Sequence, residues 1–238
     1  MMRIAMWSGP RNLSTAMMYS FGARGDCAVW DEPFYAAYLD RTGADHPMAA
    51  EIVAAHEADP ERVAARCCGP IPGGKAHFYM KHMPHHMLPD FPLDWAEPCV
   101  NIHLIRHPAR VIASYGAKRE EMTLADIGFP QQAALFDRLG GLVVDSADIR
   151  ADPAGMLGLL CAEIALPFDP GMLRWSAGGR PEDGVWARHW YGAVHRSTGF
   201  AGPEGPLPDV PDGYQSLYKA AMETYSEMQA RKLVLPKA

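Results

Sequence analysis

Two stretches of this chain place a cation and hydroxyl groups directly after an apolar run. The first is Trp7-Ser8-Gly9-Pro10-Arg11-Asn12-Leu13-Ser14-Thr15. Ile4 to Trp7 reads as a buried strand. Leu13, Ala16, Met17, Ser20 and Phe21 then recur at helical spacing, on a helix that stops near Gly22 and Gly25. A loop that leaves a strand and opens a helix presents unpaired backbone N–H groups at the positive end of the helix dipole, a site for phosphate or sulfate. Gly9 permits a tight turn, Arg11 can grip an oxyanion with two parallel bonds, and Ser14 and Thr15 add hydroxyl donors. The structural alternative is an ordinary helix capped by Asn12 or Ser8, with Arg11 in solvent. The G-x-x-x-x-G-K-[ST] pattern of a Walker A loop is absent.

The second stretch is Leu104-Ile105-Arg106-His107-Pro108-Ala109-Arg110-Val111-Ile112-Ala113-Ser114-Tyr115. A strand, Val100 to Ile105, ends at Arg106, and Pro108 opens a helix. Arg106 thus stands at a carboxyl strand edge, where α/β sheets bind ligands. Ser114 follows about two helical turns later.

Together the two segments resemble the two nucleotide-binding signatures of the sulfotransferase family, whose members use 3′-phosphoadenosine 5′-phosphosulfate (PAPS). The resemblance implies a P-loop-like α/β fold and a donor site. Gly9, Pro10, Arg11, Asn12, Ser14 and Thr15 would hold the 5′ end of the donor, and Arg106 with Ser114 its 3′-phosphate. Arg11 stands where many members have Lys, and Asn12 where a Gly is frequent. Met80-Lys81-His82-Met83-Pro84 is similar to the Lys-Thr-His-Leu-Pro stretch of cytosolic members with one residue missing. The segment from Leu142 to Gly155 is similar to the region that carries a Tyr-Glu-Asp-Leu and a later Asp-Pro. Arg180, Gly184 and Trp186 resemble a late loop that closes over the nucleotide, so Arg180 and Trp186 are expected at the donor.

Sulfuryl transfer to a hydroxyl needs a base for the acceptor. Two residues qualify. Glu32 follows a short strand, Ala28 to Trp30, and members acting on sugars and tyrosines place a Glu base after that strand. His82 matches the base of the aryl and steroid enzymes. Lys81 beside it would keep His82 neutral by like-charge repulsion and could itself stabilise developing charge. Parallel strands open on one edge, so Glu32 and the Arg11 loop are expected to meet at one cleft. The catalytic expectation is therefore Glu32 or His82 as base, with Lys81 and Arg11 assisting.

These residues need a sheet to position them. Further strands are expected at His77 to Met83 and Leu142 to Val144, with helices over 49–58, 61–68, 131–139, from Asp152-Pro153 to Ile164, and over 214–231. Alternating strands and helices argue one parallel sheet flanked by helices. No boundary interrupts the chain, so residues 1–238 are expected to form one domain. Residues 176–213 are rich in Gly, Pro, Arg and His without periodicity and read as functional loops. Their aromatics Trp186, Trp190 and Tyr191, with Trp175 just before, could line an acceptor pocket or simply be core.

The chain has 238 residues, 48% of them hydrophobic, enough for a substantial core. Its 28 acidic and 22 basic side chains give a net charge of −6, which disfavours general nucleic-acid binding. No apolar run is long enough for a signal peptide or a membrane span. Five cysteines without a C-x-x-C pair read as reduced thiols, and the expected location is the cytoplasm. His103 and His107 straddle a strand end and a loop, so no helical metal pair arises, and no metal is expected. The acceptor, a small molecule offering a hydroxyl or amine, and the oligomeric state stay open. Two rival readings remain: a P-loop-type small-molecule kinase, for which Val143-Val144-Asp145 faintly resembles a Walker B strand, and a nucleotide-binding protein without catalysis.

Overall fold

Strand β1, Met2–Ser8, is buried from Ile4 onward. A strand covered on both faces reads as a continuous apolar run, because helices pack on either side of a parallel sheet. A computed structural model describes residues 1–116 and 122–236 of the chain. In it β1 is the central strand of a five-stranded, wholly parallel sheet of order β2-β3-β1-β4-β5. The others are β2 (Cys27–Asp31), β3 (His77–His82), β4 (Val100–Ile105) and β5 (Leu142–Asp145).

Successive side chains of a strand face opposite ways, and this alternation builds two cores. Ile4, Met6, Tyr79, Ile102 and Leu104 pack with Met17, Met18 and Phe21 of α1 (Ser14–Gly22) on one face. Ala5, Trp7, Phe78 and Met80 pack with Phe34, Val63, Cys67 and Trp95 on the other. Each large apolar side chain so buried contributes roughly 1.5–3 kcal/mol. Trp7 keeps its indole N–H satisfied by donating to Asn101 Oδ1 at 2.9 Å.

The expected helices form close to their expected bounds: α3 (Ala49–Ala55), α4 (Pro60–Cys68), α5 (Pro108–Gly116), α6 (Phe129–Leu139), α8 (Pro153–Glu163) and α11 (Gln215–Gln229). Four more were not expected. Helix α2 (Tyr35–Thr42) follows Glu32, and α7 (Ser146–Ala151) begins where the Asp145 carboxylate accepts from the Ala147 N–H at 2.9 Å. The stretch expected to be loops contains two one-turn helices, α9 (Ala187–Trp190) and α10 (Gly192–His195). Such short helices have no sequence period to read; packing of Trp186, Ala187 and Tyr191 against Tyr35, Leu39 and Ile52 holds them.

Every pairing is parallel: from β1 the chain goes out to the edge strand β2, comes back through β3 beside β1, and continues on the other side of β1 through β4 to β5. The carboxyl ends of all strands therefore open on one side, with β1 at the reversal, where such sheets bind ligands. Register fixes who meets there: Lys81 lies opposite Met6 on one side and Asp31 on the other.

The entrance to β5 depends on Gly141, whose φ is +116° and whose missing Cβ would stand 2.2 Å from the Asn101 carbonyl oxygen. Gly141→Ala combines a backbone strained for an L-residue with a collision against β4, so a loss of about 1–3 kcal/mol is expected in denaturant unfolding. An unchanged midpoint would show that this approach does not constrain the sheet.

Candidate active site

The carboxyl edge of the sheet surrounds a cavity of about 330 Å³. Residues 10–16 form one wall, and Glu32, Tyr35, Met83, His86, Tyr115, Trp190 and Tyr191 contribute others, together with Arg106 and Ser114. Most of the residues singled out by the two motifs thus meet in one space.

The first wall is the loop after β1. No side chain caps α1; its N-cap position is Leu13, so neither Asn12 nor Ser8 takes the capping role that an ordinary helix would give it. The first N–H groups of the helix stay available for a ligand. Asn12 instead donates from Nδ2 to the Leu104 carbonyl at 2.9 Å, tying the loop to β4, while its Oδ1 is buried without a partner. Gly9 lies against the Ile127 carbonyl, 2.7 Å from where a Cβ would be. Arg11 adopts a left-handed backbone, φ +62°, and its Nε donates to Ser114 Oγ at 2.9 Å. Burial, followed by the nearby Arg106 cation, holds the Arg11 guanidinium below its ordinary pKa. Two like charges gathered at an uncapped helix start favour an anion between them.

Opposite lies a buried charge cluster. The Lys81 side chain has no exposed surface. Its Nζ donates to Asp31 Oδ1 at 2.7 Å, lies 2.8 Å from Glu32 Oε1, reaches Thr15 Oγ1 at 3.4 Å and bonds the Tyr191 hydroxyl. Burial pulls the Lys81 pKa down, but Asp31 and Glu32 outweigh it and the net shift is upward. Tyr191 accepts from Trp186 Nε1 at 3.0 Å and faces Asp31 Oδ2 at 2.8 Å and Glu32 Oε1 at 3.2 Å. One ammonium therefore serves two carboxylates, leaving an excess negative charge. Burial raises the Glu32 pKa above its ordinary value against the pull of Lys81. Glu32 also holds a left-handed backbone, φ +40°. Strain of this kind concentrates at functional sites. His86 Nδ1 stands 3.9 Å from Glu32 Oε2, and burial with neighbouring histidines keeps its ring neutral.

Several expectations need correction. His82 does not line the cavity. Period-2 alternation turns it to the face opposite Lys81, where Trp7 and Trp95 pack at 4.7 and 4.8 Å between ring centres. Burial alone, not repulsion from Lys81, pulls its pKa down to about 3. Arg180 lies behind α1, stacked over Tyr19 and donating to the Tyr19 carbonyl at 3.1 Å. Trp186 is buried against Tyr35 and His56 and reaches the site only through Tyr191. Neither Arg180 nor Trp186 lines the cavity. Trp190 and Tyr191 do, while Trp175 packs in the core. Asp145, the Walker-B-like acid, is occupied in capping α7 and in accepting from the Tyr225 hydroxyl at 2.7 Å. His103 bonds the Gly140 carbonyl at 3.0 Å, and among the described residues no group of three metal-type ligands is assembled.

Asp31 and Glu204 are not singled out by the sequence, and Tyr191 appears there only as an aromatic of pocket or core. Asp31 and Tyr191 hold Lys81. Arg106 pairs with Glu204 as well as donating to the Arg11 carbonyl at 2.6 Å. Ser114 turns to Arg11 rather than to Arg106. Only the sheet register and the return of the late segment over the cavity reveal these partners.

The fold and the cavity define a class of α/β proteins with a ligand site at the carboxyl edge of a parallel sheet, not yet one family. The comparison with known families does: residues 2–232 match the family described as a sulfotransferase domain, and the chain belongs to it. Two curated relatives from Arabidopsis thaliana, "Branched-chain-amino-acid aminotransferase-like protein 2" and "protein 1", are each 33% identical to it over 228 and 232 residues. The matches cover 94% and 95% of this chain but 40% and 41% of the relatives, so the chain spans about two fifths of their length. Among solved structures, the sulfotransferase domain from the curacin biosynthetic pathway (TM-score 0.55, 15% identity, 98% of each chain) shares the fold. So does a sulfotransferase from Alicyclobacillus acidocaldarius (TM-score 0.55, 12% identity, 98% of this chain and 97% of that one). Among the described residues no helix is long and apolar enough to cross a membrane.

Buried neutral histidines make a prediction. His82 and His103 have pKa values pulled to about 3 and about 4, against an ordinary 6.5. Below pH 6.5 the unfolded chain takes up protons that the folded chain refuses, so stability present above that pH is lost as pH falls. Denaturant midpoints should drop between pH 7 and pH 5. His82→Phe, a similar volume in an aromatic box, should flatten that slope. An unaltered slope in this variant would contradict the buried, neutral assignment.

Proposed function

We propose that this chain transfers a sulfuryl group from PAPS to a hydroxyl or amine of a small-molecule acceptor. The observation that carries the reading is that one cavity joins an uncapped anion-binding loop to a buried carboxylate of raised pKa. Family membership supports it. Arg11, Ser14, Thr15 and the first N–H groups of α1 would hold the 5′ end of the donor, and Arg106 with Ser114 its 3′-phosphate. The residues fit such a ligand: the uncapped start of α1 and the Ser14 and Thr15 hydroxyls offer donors to an anion, and a carboxylate already sits on Arg106 as an anion would.

The donor supplies the sulfuryl group. In the step itself the acceptor oxygen forms a bond to sulfur as the bond from sulfur to the 5′-phosphate oxygen breaks. The acceptor proton passes to Glu32, and adenosine 3′,5′-bisphosphate leaves. Glu32 rather than His82 takes the proton in this reading, because Glu32 lines the cavity and His82 does not. Lys81, reaching both Thr15 and Glu32, stabilises charge on the side of the transferring group. Tyr191 and Asp31 position Lys81. Tyr35, Tyr115, Trp190 and Met83 give the acceptor end an apolar, aromatic lining, which suits a small acceptor carrying few charges. The five cysteines are free thiols, in keeping with the cytoplasm as the proposed location.

Calorimetry should show adenosine 3′,5′-bisphosphate binding about tenfold or more tightly than AMP, since charge-assisted bonds to the 3′-phosphate are worth roughly 1.5–3 kcal/mol each. Equal affinities would remove the 3′-phosphate assignment. For turnover, PAPS can be incubated with a panel of small alcohols, phenols and amines while bisphosphate release is followed. Glu32→Gln should lower kcat by about 10²–10⁴-fold with bisphosphate affinity unchanged. In the wild type the acid limb of the rate profile should lie above pH 4.5, because only the ionised carboxylate accepts the proton and its pKa is raised. Full activity of Glu32→Gln would overturn the assignment.

A further inference from the structure

Between Phe200 and Val210 the chain forms a strap, Ala201-Gly202-Pro203-Glu204-Gly205-Pro206-Leu207-Pro208-Asp209, without regular structure, whose Ala201 lines the cavity and whose Glu204 bonds the cavity residue Arg106. Most of it is exposed, Leu207 by 52%. The Glu204 side chain is the exception, at 3%. Its carboxylate sits among three guanidinium groups from three separate places in the fold. Arg106, after β4, bonds Oε1 through Nε at 3.0 Å and again through a terminal nitrogen. Arg110, one turn into α5, brings its Nε to 2.7 Å from Oε2. Arg150, in α7, reaches Oε1 at 3.0 Å. Arg110 and Arg150 also donate to the strap carbonyls of Gly205 and Gly202, on either side of Glu204.

Three cations around one carboxylate leave two positive charges uncompensated, and the neighbouring Arg11 adds to the excess. Such a cluster holds a dianion better than a monoanion, and guanidinium forks match the tetrahedral oxygens of phosphate. The cradle is contiguous with the cavity, because Arg106 belongs to both and donates to the Arg11 carbonyl. Glycines on both sides of the Pro203-Glu204 pair have no atoms within 4 Å of where a Cβ would be, so the strap is not wedged in place by packing there.

We infer that Arg106, Arg110 and Arg150 form one phosphate-binding cradle whose resident occupant is the chain's own Glu204, and that the donor's 3′-phosphate enters by displacing it. Arg110 and Arg150 then join Arg106 as donor-binding residues, and Glu204 is an internal competitor that releases the strap when donor binds. The displacement rests on the PAPS reading above; the cradle's preference for phosphate does not.

Calorimetric titration of wild type and Glu204→Gln with inorganic phosphate, adenosine 3′,5′-bisphosphate and AMP separates the two. Glu204→Gln should bind inorganic phosphate and the bisphosphate about tenfold more tightly than wild type, as loss of one charge-assisted competitor implies. AMP affinity should stay level, and adding Arg150→Gln should erase the gain. Bisphosphate preferred over AMP with no gain in Glu204→Gln overturns the cradle while the donor reading stands. A phosphate gain with bisphosphate never preferred over AMP overturns the donor reading and the displacement with it, and leaves the cradle as a phosphate site. A second measurement needs no variant. A protease specific for Glu should cut wild type after Glu204 faster when bisphosphate is added, because the side chain leaves its pocket. Slower cutting at that bond would overturn the displacement.

Discussion

An ammonium group with no exposed surface is the constraint on which the site depends. Taking Lys81 out of water is expensive, and a buried ion persists only where partners replace its hydration shell. Asp31, Glu32, Tyr191 and Thr15 do so, and they come from three different parts of the chain, Asp31 and Glu32 being neighbours. Satisfying Lys81 therefore fixes the end of β2, the turn into α2, the one-turn helices after Trp186 and the first turn of α1 against one another. Removing Lys81 would leave two carboxylates unpaired in a low-dielectric interior, so the cluster is organised around that one side chain.

The same arrangement has a chemical consequence. Two carboxylates share one ammonium, and burial, with the neighbouring Asp31 charge adding to it, raises the pKa of Glu32, the member that faces the cavity. A carboxylate so placed is a better proton acceptor than one in water. At the other end the balance is reversed: Arg106, Arg110 and Arg150 gather around the single carboxylate of Glu204, and Arg11 stands near Arg106. The cavity thus has a buried carboxylate, Glu32, at one pole and cations, Arg11 and Arg106, at the other. That polarity suits a ligand with its anionic part at one end and a neutral reactive group at the other.

The solved relatives share this fold at 12–17% identity, which establishes architecture and leaves the details to this chain. The sheet edge, the first loop and the strand-ending Arg106 are features that such a fold positions by topology alone. Arg110, Arg150 and the strap with Glu204 belong to the particular packing seen here.

The sequence by itself determined the sheet and the two strand-to-helix segments that carry Arg11 and Arg106. Strands buried on both faces must be continuously apolar, and the helices that follow announce themselves by Gly9 and Pro108; both are local signals. It also placed Glu32 at a strand end that opens on the same edge as the Arg11 loop. It did not decide between Glu32 and His82, since both lie at strand ends, and only the pleat of β3 sends Lys81 to the cavity face and His82 into an aromatic box. It also suggested Arg180 and Trp186 as donor contacts, whereas packing turns one against Tyr19 and buries the other. Helices α9 and α10 were hidden because one turn is shorter than any period. Asp31 and Glu204, and the polar role of Tyr191, were hidden for a stronger reason: each acts through a partner distant in sequence, by 50 residues for Asp31 and Lys81, 160 for Tyr191 and Asp31, and 98 for Glu204 and Arg106. Pairings over such separations are decided by strand register and by the path of the late segment across the sheet edge, and neither is written in local spacing.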